Sequence, residues 1–238
     1  MDSPRKAVVV ELFTSEGCSS CPPADLLLQR LEEQQPVAGA EVLALEEHVD
    51  YWNHDGWSDP FSSPEWTQRQ LDYGTKFKND AYTPQMVVDG RSQFVGNSGR
   101  EAEGEIAKAA RGEKTEVAIA PEKADATGSQ RFAVSVGKVV GNADGDVAEV
   151  WLAVAEDGLH SSVSAGENAG RVLRHISTLR SLQKIGVAKA SPGPVSFTAD
   201  PLVKFDARWH AANLRVLVFV QKKRSREILG AASARIKS

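Results

Sequence analysis

The two cysteines of this chain, Cys18 and Cys21, are separated by only two residues, and no other cysteine occurs among its 238 residues. Residues 6–13 before them form an apolar, β-branched run that predicts a buried strand. Residues 22–35 after them begin with two prolines and continue with a leucine-rich stripe, which predicts a helix. At the start of a helix, unpaired backbone N–H groups stabilise a thiolate anion. The placement therefore predicts a redox-active pair in which Cys18 attacks a substrate and Cys21 resolves the mixed disulfide.

The sequence leaves two other roles of the cysteine pair to weigh: a disulfide that only stabilises the fold, and a metal site. A disulfide between residues so close in sequence constrains the unfolded chain little, so a purely stapling role is disfavoured. A structural zinc site usually needs four nitrogen or sulfur ligands, and the chain has no second cysteine pair to supply them. The pair therefore favours thiol–disulfide chemistry or the binding of a soft metal ion.

The predicted elements of the first 113 residues follow the order β-α-β-α-β-β-α. A second strand is predicted at 41–45, and a second helix starts at the capping sequence 63–65. Residues 82–90 predict a loop, a strand and an Asp-Gly turn to a partner strand at 93–95, and residues 100–111 predict a third helix. Strands joined through a helix are parallel with a right-handed crossover. This order, with the cysteines at the first helix, predicts an α/β thioredoxin-like domain.

The second half of the chain carries a different pattern. Strand-like runs follow one another there with turn residues between most of them and no convincing helix, which is typical of a β-sandwich. These runs are 115–120, 131–136, 147–155, 171–180, 195–198, 214–221 and 227–236. The charge also changes, because residues 1–113 contain 20 acidic and 10 basic side chains whereas residues 114–238 contain 12 and 18. We therefore expect a thioredoxin-like domain at 1–113 and an all-β, sandwich-like domain at 114–238.

Three further residues are candidates for the chemistry of the cysteine pair. Thr83 and Pro84 lie just before a predicted strand, and a cis peptide bond between them would turn the backbone of Thr83 toward Cys18. The general preference is for trans, so the expectation of a cis bond rests on the predicted fold. Glu11 lies on the first predicted strand, seven residues before Cys18. It is a candidate for a buried acid that accepts the proton of the resolving thiol.

Several motifs along the chain match those of one protein family. The run at 11–25, ELFTSEGCSSCPPAD, is the most specific of them. The others are HVDYW at 48–52, GW at 56–57, DPF at 59–61, YTPQMVVDG at 82–90 and GENAGR at 166–171. In these motifs the chain resembles a bacterial family of predicted secreted, thioredoxin-like proteins of unknown function.

The resemblance implies a thioredoxin-like fold and a periplasmic or secreted address, with the leader absent from this chain. The leading function is a thiol–disulfide oxidoreductase that acts on protein or small-molecule thiols, or on a redox partner. No cofactor other than the redox-active disulfide is expected. No nucleic-acid binding is expected because the basic residues form no concentrated face, and no membrane insertion is expected because no apolar run reaches ~18 residues. The substrate, the direction of electron transfer and the oligomeric state stay open.

A second hypothesis uses the same cysteines to hold copper. Thiolates are soft ligands that select Cu(I). Cys18, Cys21, His48 and Met86 would form the metal site if the end of the second strand and the residues after Pro84 lie near the cysteines. The protein would then bind or deliver copper. A third hypothesis is a non-catalytic, thioredoxin-like binding module that retains a disulfide resistant to reduction.

The remaining polar and aromatic motifs are expected to have structural roles. The aromatic residues of the long loop at 49–65 are expected to anchor it to the core. Polar residues in and beyond the 166–171 motif are expected to cap turns or to form a polar network, and these are Glu167, Asn168, Arg171 and Arg180. Nine acidic residues and no lysine or arginine lie between Arg30 and Arg69, and their charge would oppose thiolate formation if they faced the cysteines. His175 receives no role from the sequence.

Overall fold

The secondary structure is taken from a computed structural model, which describes residues 5–54, 56–125, 128–142, 144–189 and 194–236. The α-helices in these ranges are α1 (Pro22–Gln34), α2 (Pro64–Phe77) and α3 (Gly99–Arg111), and a short 3-10 helix spans Ala211–Asn213. The strands are β1 (Lys6–Thr14), β2 (Ala40–His48), β3 (Gln85–Val88), β4 (Ser92–Val95), β5 (Val117–Pro121), β6 (Gln130–Gly137), β7 (Ala148–Glu156), β8 (Leu159–Ser162), β9 (Val172–His175), β10 (Thr178–Ala188), β11 (Val195–Ala199), β12 (Leu202–Val203), β13 (Leu214–Lys222) and β14 (Ile228–Arg235).

The expectation of an α/β thioredoxin-like domain followed by a β-sandwich is wrong. The structure is mostly β, with 41% of the described residues in strands and 19% in helices. Eight strands form one mixed sheet in the order β14-β13-β7-β10-β2-β1-β3-β4. The prediction assumed that the strands of each half pair only with one another. Instead, β10 from the second half joins β2 in parallel, with Thr178 opposite Glu46.

Most of the predicted elements nevertheless occur close to the expected positions, so the error concerns strand pairing. The clearest local difference is the run predicted at 171–180. There β9 ends at His175 and β10 begins at Thr178, because Ser177 takes a left-handed conformation with φ of 53° and interrupts the extended chain.

The described residues form two compact units. The first comprises residues within 1–111 together with 158–179, and the second comprises residues within 112–157 and 180–238. The segment 158–179, which contains β8 and β9, therefore belongs to the same unit as the cysteines. None of the described helices has both the length and the apolar character needed to cross a membrane.

In the first unit, the alternation of side chains along β1 separates two environments. Val8, Val10 and Leu12 belong to an apolar cluster that also contains residues of α1 and α3. Phe13 points to the other face, where it packs with Tyr73 of α2. One strand thus supports helices on both of its faces, and α1 and α2 are held on opposite sides of it.

The ends of the helices follow from their capping residues. In α1 the prolines occupy the first helical positions, where a missing N–H group costs no hydrogen bond. In α2 the Ser63 side chain accepts a hydrogen bond from the Glu65 N–H. Gln35 and Lys78 end α1 and α2 in left-handed conformations. The start of α1 is thereby fixed directly at Cys21, its N-cap residue.

The second unit has its own apolar core. Alternate residues of β6, β7 and β13 form it, among them Phe132, Val134, Val136, Val150, Leu152, Val154, Val216, Val218 and Val220. Gly230 on β14 approaches the backbone of Thr115 so closely that a Cβ atom there would lie 1.9 Å from the Thr115 carbonyl oxygen. This position therefore requires glycine.

Replacement of Leu31 in α1 by alanine tests the core of the first unit. Leu31 is completely buried, so Leu31→Ala should lower the free energy of unfolding by roughly 2–5 kcal/mol. Leu71→Ala in α2 is the matched control, because Leu71 is 45% exposed and its replacement should cost about 0.5 kcal/mol. Urea denaturation of the two variants measures the difference, and equal losses would contradict this packing.

Candidate functional site

The register between β1 and β2 positions the site. The two strands are parallel, and Thr14 at the end of β1 lies opposite His48 at the end of β2. The loop that carries the cysteines leaves β1 at this edge, and the loop at 49–63 leaves β2 beside it. Because the carboxyl ends of parallel strands meet at one edge, these two loops supply most of the site.

Cys18 and Cys21 form a disulfide, with their Cα atoms 5.5 Å apart. Both cysteines are buried, with 1% and 0% of their surface exposed, whereas Ser19 and Ser20 between them are exposed. The Cys18 Sγ atom lies 3.4 Å from the Ser20 Oγ atom. A reacting thiol must therefore gain access to sulfur atoms that this conformation covers.

Residues 166–171, here called the capping segment, hold the cysteine turn. The Asn168 side-chain amide is buried and donates to the carbonyl oxygens of Glu16 and Cys18, at 2.8 and 2.9 Å. The Ser19 N–H group donates to a carboxylate oxygen of Glu167 at 2.9 Å. Arg171 in turn donates to the Asn168 side-chain oxygen at 3.0 Å. Glu167, Asn168 and Arg171 thus cap a turn, and the turn is the one that holds the disulfide.

Next to this turn lies a buried group of two histidines and three carboxylates, here called the histidine–carboxylate cluster: Glu16, Glu46, His48, Asp59 and His175. His48 Nδ1 lies 2.7 Å from Asp59 Oδ2. His175 Nε2 lies 3.0 Å from Glu16 Oε1, and His175 Nδ1 lies 3.0 Å from Glu46 Oε1. The two imidazole rings are 4.6 Å apart and meet edge to face, and Phe61 lies 5.4 Å from both.

The charges within the cluster stabilise one another. Burial disfavours the charged form of each histidine, yet the nearby carboxylates outweigh it and raise the pKa of His175 to about 9. Asp59 and Glu46 likewise hold the pKa of His48 well above its ordinary value. Burial opposes ionisation of Glu46 and Asp59 too, but the histidines lower the pKa of each to about 2. His48, His175, Glu46 and Asp59 therefore stabilise one another's charged forms.

The pKa of Asp25 is raised, whereas those of Glu46 and Asp59 are lowered. Asp25 lies in the first turn of α1, where its N–H group donates to the Cys21 carbonyl oxygen at 3.1 Å. Burial and the negative charge of Glu46 raise the pKa of Asp25 to about 7, against smaller lowering effects of His175, of a hydrogen bond from Thr14, and of His48. Asp25 is thus a buried carboxyl group, one turn after Cys21, that can hold or release a proton near neutral pH.

Glu11, the acid expected from the sequence, is occupied by other partners. Arg69 and the Tyr73 hydroxyl group each donate to its carboxylate at 2.6 Å, and all three residues are buried. Glu47 lies 3.5 Å from Arg69, and burial raises the pKa of Glu47 well above its ordinary value. Glu11 lies on the face of β1 that meets α2, whereas α1 and Cys21 belong to the opposite face. The described contacts do not bring Glu11 to the disulfide.

Thr83 and Pro84 are linked to the cysteine turn through Trp52. The Thr83–Pro84 peptide bond is cis, as expected. The Trp52 indole N–H donates to the Thr83 hydroxyl at 2.8 Å. A Cβ atom at Gly17 would lie 3.0 Å from Trp52 Cβ, so Trp52 packs directly against the residue before Cys18. The long loop is thus anchored by its aromatic residues, and Trp57 contributes by donating to Glu16 at 2.8 Å.

Of the four ligands expected for copper, the described contacts bring together only Cys18 and Cys21, which are bonded to each other. His48 is held by Asp59 within the histidine–carboxylate cluster. Met86 lies on β3 in the apolar cluster with residues of α1 and α3.

A cavity of about 410 Å³ opens beside the start of α1. It is lined by Pro22, Asp25, Leu26, Arg171, Val172, Leu173 and Arg174. Leu26 and Val172 in this lining are 63% and 59% exposed. The lining of the cavity thus contains the carboxyl group of Asp25, apolar side chains and two arginines.

Sequence reasoning missed five functional candidates: Asp25, Glu16, Glu46, Asp59 and His175. Glu16, Asp25 and Asp59 lie within the motifs at 11–25 and 59–61, which was the available signal. His175 carried no such signal, because its partner Glu16 is 159 residues away in the sequence.

The fold and site define a mostly β protein that holds a buried disulfide and a buried histidine–carboxylate cluster at the ends of two parallel strands. The chain belongs to the family described as Protein of unknown function (DUF1223), whose family model matches residues 9–221. The resemblance to a family of unknown function is therefore confirmed. A comparison with proteins of curated function gives no match.

Solved structures extend the comparison. A crystal structure of a protein from Agrobacterium tumefaciens is similar, with a TM-score of 0.69, 26% identity, and coverage of 100% of this chain and 97% of that chain. HBP35 of Porphyromonas gingivalis has a TM-score of 0.71 and 17% identity over 99% of this chain and 77% of that chain, which shows a shared fold alone. A domain of the outer membrane lipoprotein Omp28 from Porphyromonas gingivalis has 17% identity over 52% of this chain and 89% of that chain, and its TM-score of 0.31 carries no argument.

Replacement of Asp25 by asparagine tests its environment. Because burial raises the pKa of Asp25 from 3.8 to about 7, the folded state holds its proton more tightly than the unfolded state. Ionisation of Asp25 should then destabilise the wild-type fold as the pH rises from about 4 to about 7, by at most roughly 1.4 kcal/mol per pH unit. The free energy of unfolding of wild type, measured relative to that of Asp25→Asn, should therefore fall as the pH rises from about 4 to about 7.

Urea denaturation at several pH values measures this difference. Asp80→Asn, which removes an exposed carboxylate, controls for the loss of one negative charge. A stability difference between wild type and Asp25→Asn that stays constant from pH 4 to pH 7 would show that folding does not raise the pKa of Asp25.

Proposed function

We propose that the protein is a thiol–disulfide oxidoreductase that reacts through Cys18 and Cys21. The observation that carries the proposal is the disulfide at the start of α1, one turn from a buried carboxyl group whose pKa lies near neutrality. Thiol–disulfide exchange uses a sulfur pair that can be reduced and a group that donates a proton to the leaving thiolate. Cys18, Cys21 and Asp25 supply these parts.

The exchange has a defined balance of atoms and electrons. A substrate thiolate attacks Cys18 Sγ, forms a mixed disulfide and breaks the Cys18–Cys21 bond. The Cys21 thiolate that leaves takes up a proton, for which Asp25 is the nearest buried donor in the chain sequence. A second substrate thiolate then attacks the substrate sulfur of the mixed disulfide and releases the Cys18 thiolate, which takes up a proton. Two thiols have become one disulfide, and the protein has gained two electrons and two protons.

The cavity beside α1 supports a thiol partner that carries apolar and acidic groups. Its rim contains Leu26 and Val172, and Arg171 and Arg174 add positive charge. A cysteine-containing peptide or a small acidic thiol matches this lining. We further propose an extracytoplasmic address, because disulfides persist in oxidising compartments and because the motifs at 11–25 and 166–171 resemble a family of secreted proteins.

Trapping of a mixed disulfide tests the order of the reaction. Cys21→Ser removes the resolving thiol. In the reverse of the exchange above, the Cys18 thiolate attacks an oxidised peptide or oxidised glutathione, and a disulfide-linked adduct should then accumulate on Cys18. Cys18→Ser is the matched control and should form little adduct, because the attacking sulfur is gone. Mass spectrometry of the two variants measures the adducts.

The reduction potential provides the decisive measurement for the wild-type protein. Equilibration with a glutathione or dithiothreitol series should give a midpoint between about −120 and about −270 mV, the range of working oxidoreductases. A midpoint well below about −300 mV, or no reversible couple, would make the disulfide structural and overturn the proposal.

Removal of the Asn168 side chain tests access to the disulfide. The variant Asn168→Ala loses two hydrogen bonds to the cysteine turn, each worth about 1 kcal/mol. If reduction requires the capping segment to open, the variant should be reduced about 10- to 30-fold faster than wild type. The rate of reduction by dithiothreitol, followed by alkylation and mass spectrometry, measures the effect.

Asn97→Ala is the control, since Asn97 is exposed in the same unit. Equal reduction rates for wild type and Asn168→Ala, with both proteins folded, would show that the capping segment does not limit access.

A further inference from the structure

We propose that Glu46, His48 and His175 bind a divalent transition-metal ion of the zinc class. Among the described residues, these three offer ligand atoms that all lie within 4.8 Å of one another. All three side chains are buried. The site is separate from the cysteines, so it does not depend on thiol–disulfide exchange.

The orientation of the two imidazole rings is the first support. Asp59 holds His48 through Nδ1, and Glu16 holds His175 through Nε2. The remaining nitrogens, His48 Nε2 and His175 Nδ1, both face Glu46. Metal-binding histidines usually donate from their second nitrogen to a carboxylate in this way, which fixes the orientation of the ring. A metal ion between the remaining nitrogens and Glu46 would replace the protons that the nitrogens carry in the metal-free cluster.

An unsatisfied nitrogen is the second, independent support. His48 Nε2 is buried and has no hydrogen-bond partner among the described residues. The closest acidic atom, Glu46 Oε2, is 3.7 Å away, beyond hydrogen-bond range. Buried polar atoms are rarely left without a partner, so a ligand at this position would satisfy His48.

The distances fit a metal ion between the three side chains. Bonds of about 2.1 Å at a tetrahedral centre place two ligand atoms about 3.4 Å apart. His175 Nδ1 lies 3.0 Å from Glu46 Oε1, and His48 Nε2 lies 3.7 Å from Glu46 Oε2, so each nitrogen faces a different oxygen of the same carboxylate at a distance on either side of this value. Two imidazoles and one carboxylate are a ligand set that zinc accepts in proteins, with a fourth position for water.

Zinc content after refolding is the test, because a buried site exchanges slowly and loads most readily while the chain folds. Wild-type protein is refolded from denaturant with Zn²⁺, passed through gel filtration, and analysed for zinc by mass spectrometry. About one equivalent should remain on wild type and on His160→Gln, which replaces an exposed histidine of the same unit. His48→Gln and His175→Gln should each retain less than about a tenth of it.

Two additional variants keep the test decisive. The double variant Cys18→Ser, Cys21→Ser should retain zinc, which separates this site from metal binding by the cysteines. Asp59→Asn leaves all three ligands in place and should weaken zinc affinity about 10- to 100-fold, even if the histidine variants fold poorly. Zinc should also raise the unfolding temperature of wild type by mass action.

Three results would overturn the proposal. Wild type that retains no zinc would show that the cluster is an ionic network alone. Equal retention by wild type, His48→Gln and His175→Gln would place the metal elsewhere, and loss of zinc from the double cysteine variant would assign it to the thiols.

Discussion

The two hydrogen bonds of His175 link three segments of the first unit at the ends of β1 and β2. One reaches Glu16 in the cysteine turn, and the other reaches Glu46 on the neighbouring strand. Both carboxylates are buried, and a buried carboxylate without a cationic partner would cost several kcal/mol. A single imidazole therefore links the turn before Cys18, the end of β2 and the segment that contains β9. The same segment carries Asn168, whose side chain donates to two carbonyl oxygens of the cysteine turn.

The first unit separates its buried charges into groups with different tasks. Glu11 and Arg69 form a closed pair with Tyr73 between β1 and α2. The histidine–carboxylate cluster gathers more carboxylates than histidines at the strand ends. Burial and the negative charge of Glu46 raise the pKa of Asp25 to about 7, so Asp25 keeps its proton up to a pH near 7. The surroundings of Asp25 thus set the pH at which it ionises.

Local sequence patterns predicted much of this structure. The β-branched run at 6–13, the prolines after Cys21 and the Ser-Pro start of α2 each determine their element through short-range chemistry, and all three elements are present. Strand pairing was not predictable in the same way, since hydrophobic periodicity does not specify which strand lies beside β2. The site residues likewise divide into those that local sequence identifies and those that only the folded chain brings together. Cys18 and Cys21 could be identified from their spacing, whereas His175 acquires its role only through contacts 129 and 159 residues away.

The long separation between Glu16 and His175 also has a consequence for the time course of biosynthesis. Both cysteines leave the ribosome long before His175 and Asn168 are made, and contacts so distant in sequence form late in folding. During that interval the turn before Cys18 lacks its hydrogen bonds with Asn168 and His175. Once the later segment docks, the finished disulfide is enclosed. The order of synthesis thus permits oxidation first and protection afterwards, within one uninterrupted polypeptide.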